Sequence, residues 1–68
     1  MKTVALIIAE ALIDTIEELG IEDRCTNYQN TWRGTKNILL IESRKGKENP
    51  IFWESVENMA KVIKEFTR

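Results

Sequence analysis

The chain has 68 residues, 43% of them hydrophobic and 31% charged, with ten bases against eleven acids and a net charge of −1. That suffices for one small domain, 1–68, with a single core of marginal size. Histidine is absent and cysteine occurs once, which excludes histidine-based acid–base and nucleophile chemistry, an internal disulfide and a zinc-ligand set.

Charge is sorted along the chain. Residues 1–23 carry six acids and one base, a net −5, and residues 24–47 carry six bases and one acid, a net +5. The near-neutral average hides an acidic block followed by a basic one, and each block has its own preferred partners. With no disulfide or metal to staple the domain, stability has to come from close packing or from a second copy of the chain.

Lys2 and the apolar run 4–9 resemble the start of a secretory leader, but the run ends at Glu10, and Asp14, Glu17 and Glu18 follow. It is short for a leader and far short of the ~20 residues of a membrane span. The segment reads as a helix over 3–19, with Thr3 suited to the N-cap and Gly20 to the left-handed stop. On a wheel of about 100° per residue, Val4, Ala5, Ile8, Ala9, Ala11, Leu12, Thr15, Ile16 and Leu19 share one face, opposite Glu10, Asp14, Glu17 and Glu18. Leu6 and Ile13, a heptad apart on the margin, and Ile7 among the acids exceed what one covered face needs. They point to a second contact surface.

Residues 24–32 are polar but β-tolerant, and are expected as a strand. Arg33-Gly34-Thr35-Lys36 follows as a turn, with Gly34 supplying the unusual backbone angles. Residues 37–43 are the strongest strand expectation, because Ile38-Leu39-Leu40-Ile41 is apolar on both faces. A second turn spans 44–49, centred on Lys45-Gly46. Pro50 opens a short run, Ile51-Phe52-Trp53, expected as an edge strand. A helix follows over 55–66, capped by Ser55, with Glu57 in its first turn and Val56, Met59, Ala60, Val62, Ile63 and Phe66 on one arc. The alternative starts this helix at Pro50 with Asn49 as its cap; the β-type residues at 51–53 favour the strand.

The expected fold class is therefore α+β, in the order α-β-β-β-α: a three-stranded antiparallel meander with both helices packed on one face. Its uncovered face would carry half of the Ile38–Ile41 run and an aromatic residue, and would call for a partner. The element order resembles that of the double-stranded RNA-binding domain. Where that family sets lysines at the start of its last helix, this chain reads Ser55-Val56-Glu57-Asn58.

No residue set points to catalysis. Asp14 and Glu18, one helical turn apart, read as part of a solvated acidic stripe. Cys25 reads as a small core residue. Gly34-Thr35-Lys36 and Lys45-Gly46-Lys47 lack the spacing of phosphate loops. The expectation is a small cytoplasmic, non-enzymatic protein-binding module without cofactor or metal, an adaptor or inhibitor that forms a homo-oligomer. Its small size and Lys/Asn/Ile/Glu-rich composition suit an accessory protein of a phage or mobile element. Tyr28, Trp32, Arg33 and Trp53 are the candidate partner-binding anchors, since Tyr, Trp and Arg dominate interface energetics. Leu6 and Ile13 join them. The alternative is a nucleic-acid-binding domain that uses a basic, aromatic-bearing hairpin over 24–47, with Arg33, Lys36, Arg44, Lys45 and Lys47 at phosphates.

Overall fold

The first helix forms where the sequence places it. In the computed structural model, which describes residues 2–26 and 31–67, helix α1 spans Val4–Leu19. Thr3 caps it, its Oγ1 accepting from the Leu6 N–H at 3.1 Å. Gly20 ends it in the left-handed region at φ 70°. There the Gly20 N–H donates to the carbonyl of Glu17 and the Ile21 N–H to that of Ile16. That pair of bonds is a Schellman stop. The hydrophobic contact that accompanies such a stop joins the residues at its two ends, here Ile16 and Ile21, and both are buried in the core.

Beyond α1 the architecture departs from the expected one. A single 3-10 turn at Glu22–Arg24 leads on, helix α2 spans Trp32–Arg44, and helix α3 spans Pro50–Phe66. Among the described residues there is no strand, so the protein is an all-α three-helix bundle and the α+β meander is overturned. Each missing strand has a local cause. The described part of 24–32 holds the last residue of the 3-10 turn, the buried Cys25 and the start of α2. The turn expected at 33–36 is the first turn of α2: Thr31 is the N-cap, its Oγ1 accepting from the Gly34 N–H at 3.1 Å. Gly34 has no positive φ, whereas Gly20 and Gly46 do.

The apolar run at 38–41 lies in the middle of α2. A short apolar run fits a buried strand and a helix equally, and the flanking caps decide between them. Four consecutive residues cover about 300° of a helix, and the neighbouring helices cover only part of that arc: Leu39 is 1% exposed and Ile41 53%. The inner wall of α2 is instead Thr35, Leu39, Glu42 and Ser43. Burying the two hydroxyls is tolerable because each bonds its own helix. Thr35 Oγ1 donates to the Thr31 carbonyl at 3.0 Å and Ser43 Oγ to the Leu40 carbonyl at 2.7 Å.

The expected edge strand at 51–53 is the first turn of α3. Pro50 stands at the helix start, where its missing N–H does no harm, and Asn49 Oδ1 accepts from the Ile51 N–H at 3.1 Å. Ser55 is therefore not a cap. It is a buried residue inside α3, its hydroxyl donating to the Ile51 carbonyl. The connection between α2 and α3 runs over 45–49, with Lys45 as the C-cap of α2 and Gly46 at φ 111°.

The core is Ala5, Ala9, Ile13, Ile16, Ile21, Cys25, Leu39, Phe52 and Met59. Helix α1 packs most extensively on α2, and α3 packs on both. The charge sorting has an internal meaning here, since acidic α1 lies beside basic α2. Glu17 Oε2 accepts from Trp32 Nε1 at 2.9 Å and from Lys36 Nζ at 3.0 Å.

Candidate functional site

With no sheet, there is no uncovered sheet face to bury. An open groove of about 510 Å³ lies between α1 and α2, and a second hollow of about 410 Å³ lies over Asp14, Glu17 and Glu18 of α1. Ile13 and Leu40 are the groove's apolar floor residues. Glu10 and Asp14 stand on the α1 side with Lys2; Arg33, Lys36 and Asn37 stand on the α2 side. Among the described residues, none from α3 lines it. The spacings explain the grouping: 10, 13 and 14 fall on one side of α1, and 33, 36, 37 and 40 on one side of α2.

Its walls differ in charge, with two carboxylates on α1 and two cations on α2. Some of that charge is already matched. Lys2 Nζ pairs with Glu10 Oε1 at 2.8 Å, and Lys36 with Glu17. The Trp32 indole, and then the Lys36 ammonium, hold the Glu17 carboxyl below its ordinary value. Asp14 and Arg33 face the same groove and make no ion pair or side-chain hydrogen bond among the described residues.

The candidate anchors divide accordingly. Ile13 and Arg33 meet in the groove, and Leu6 is half-buried two turns before Ile13 on the same side of α1. Trp32 is half-buried at the start of α2, where its indole N–H is engaged by Glu17 and Lys36 sits 5.9 Å from its ring centroid. Trp53 lies on α3, 40% exposed. Its indole N–H donates to the Lys47 carbonyl and its ring meets Phe52 edge-on at 5.1 Å. Trp32 thus ties the start of α2 to α1 and Trp53 ties α3 to the turn before it, and neither lines the groove with Arg33. Tyr28 lies outside the described residues.

There is no hairpin among the described residues of 24–47, because most of them form helix α2. Arg33 and Lys36 sit near the start of α2, Arg44 and Lys45 at its end, and Lys47 in the turn beyond. Arg33 and Arg44 are eleven residues apart, roughly 16 Å at a helical rise of 1.5 Å. Lys45 is paired with Glu42 at 3.0 Å. No group of three or more His, Cys, Asp or Glu side chains among the described residues is placed to hold a metal ion. No helix among them is long and apolar enough to cross a membrane.

Sequence reasoning missed Lys2, Glu10, Asp14, Asn37 and Leu40 as groove residues. The signal was present in Thr31 as a cap. Once 32–44 is read as a helix, Arg33, Lys36, Asn37 and Leu40 fall on one side of it. Other large apolar residues are exposed elsewhere: Val4 and Ile7 on α1, and Ile51 and Phe66 on α3. Arg24 covers the Phe66 ring, its guanidinium 5.6 Å from the centroid. No protein-family model matches the chain, and no curated protein or solved structure matches it.

Proposed function

We propose that the chain is a non-catalytic protein-binding module whose docking surface is the α1–α2 groove. The observation that carries this reading is the juxtaposition of Arg33 and Asp14, neither with an ion-pair partner among the described residues, over the apolar floor of Ile13 and Leu40. A buried apolar centre rimmed by charge is the anatomy of a protein interface, and arginine is among its most frequent anchors. An acidic wall beside a basic one suits a partner with patterned charge better than a uniformly anionic one such as nucleic acid. The cytoplasm is the proposed compartment, in keeping with a single cysteine buried as a free thiol.

The test is a photo-crosslinking amino acid at Asn37 on the groove, compared with one at Glu57 on the exposed side of α3. Irradiation of cells should yield protein adducts from position 37 and few from 57. Equal adducts at both, or none at 37, would refute the groove as a docking surface.

A further inference from the structure

We infer that the groove's occupant is a second copy of this chain, related by a two-fold axis running along the groove. This rests on the reading of the groove as a protein-docking surface and names its partner. Two copies can meet face to face through the α1–α2 layer about two kinds of in-plane axis. An axis across the helices sets α1 over the other α1 and acid over acid, which is repulsive. An axis along the groove exchanges left and right while preserving height, so each acidic wall meets a basic one.

The heights agree with this arrangement. The Glu17 bonds to Trp32 and Lys36 put the last turns of α1 level with the first turns of α2. Asp14 and Arg33 line the same groove. A two-fold along the groove therefore sets the acidic wall carrying Asp14 of each copy over the basic wall carrying Arg33 of the other. The roughly 6 Å between their heights, at a rise of about 1.5 Å per residue, is within the reach of an arginine side chain. The pairing joins two groups that have no ion partner among the described residues of the monomer. The Ile13 and Leu40 floors then face one another across the interface, with Leu6 along the same side of α1. The product is a four-helix layer pair, with each α3 on the outside.

Size sets the expected strength. Helix α1 has 16 residues. At a rise of about 1.5 Å it is ~24 Å long, and two helices side by side are about 20 Å wide. The footprint is then roughly 500 Å² per copy, near the lower limit of about 1,000 Å² in total for a specific interface. The association should be weak, with a dissociation constant in the micromolar range or above.

Charge reversal tests this directly by sedimentation equilibrium from micromolar to millimolar protein. Wild type should pass from monomer to dimer. Arg33→Glu and Asp14→Arg, each at an exposed position, should each weaken dimerisation at least tenfold, with circular dichroism confirming that both remain helical. Mixing the two variants should restore the dimer. In that heterodimer the carboxylate introduced at position 33 of one copy meets the guanidinium introduced at position 14 of the other, and the native Asp14 and Arg33 meet in the second contact. A pairing within one chain predicts no such rescue. A wild type that stays monomeric overturns the inference, as do single variants that dimerise normally or a mixture that stays monomeric. If wild type is monomeric while the crosslinker at position 37 still captures a protein, the second copy fails and the docking surface stands. If position 37 captures nothing as well, both fail.

Discussion

Asn49 does two jobs with one amide, and separating them tests how α2 and α3 are joined. Its Oδ1 caps α3 through the Ile51 N–H at 3.1 Å. Its Nδ2 donates back to α2, to the Glu42 carbonyl at 3.3 Å and to the Glu42 carboxylate. Asn49→Ala removes both. Loss of an asparagine N-cap costs about 1 kcal/mol, and loss of the bond to the neutral carbonyl costs about 1 kcal/mol more. Against a total stability of roughly 3–10 kcal/mol for a chain this short, that is a large share. At about 4–8 °C per kcal/mol for a domain of this size, the melting temperature should fall by ~8–16 °C.

Asn49→Asp separates the roles, since aspartate caps as well as asparagine. It has no donor to return to Glu42 and sets a second negative charge beside it. Thermal melts by circular dichroism at neutral pH should rank both variants below wild type. Both deficits should shrink in acid, where wild type gives up the Nδ2 bond to the ionised Glu42 carboxylate; that of Asn49→Asp should shrink more, because the repulsion between its two carboxylates also disappears. Glu42→Ala should also relieve the aspartate variant. An Asn49→Ala protein that melts within about 1 °C of wild type, set against a cap worth about 1 kcal/mol, would refute the clamp. So would an Asn49→Asp protein as stable as wild type at neutral pH.

Acid should weaken the fold through Glu17. The Trp32 indole and the Lys36 ammonium hold its carboxyl below the ordinary value in the folded protein, so the folded state binds fewer protons than the unfolded one. The stabilisation is complete above the ordinary value and lost as pH falls through the lowered one. Urea midpoints measured across that window should fall more steeply for wild type than for Glu17→Gln, and equal slopes would count against the Trp32–Glu17–Lys36 cluster. Leu39→Ala, at a site 1% exposed, should cost about 2–5 kcal/mol, whereas Ile41→Lys at a 53% exposed site should change stability by only about 0.5 kcal/mol. Urea denaturation measures both, and equal losses would favour a two-sided strand over α2. Cys25 is fully buried, and burial, followed by Asp23 and Glu22, pushes its thiol pKa up. A thiol reagent at pH 8 should label it slowly in the native protein and at once in urea; similar rates in both would contradict its place in the core.

Much of α1 is legible in the sequence because its signals are local and agree. The Thr3 cap, the 3.6-residue period and the Gly20 stop all mark one helix, and Cys25 lies in the core, as a lone small thiol suggests. The middle of the chain is not legible, because Ile38-Leu39-Leu40-Ile41 has no period and the β-type residues at 51–53 outweigh the Asn49-Pro50 helix start. Ser55, Thr35 and Ser43 hide the inner faces further, since hydroxyl residues look like surface until their bonds to their own helix carbonyls are seen. Arg33 and Ile13 stand out in the sequence for different reasons on different elements, and the groove that joins them depends on α2 being a helix.

The amino-acid order alone determined the absence of histidine and of a cysteine pair, the opposed charge blocks and the limits of α1, since composition and capping act within a few residues of chain. Packing decided the rest. Whether an apolar run becomes strand or helix depends on which neighbours can cover it, and here α1 and α3 bury Leu39 and leave Ile41 in water. The same packing sets acidic α1 against basic α2, so that charges far apart in the chain share one groove.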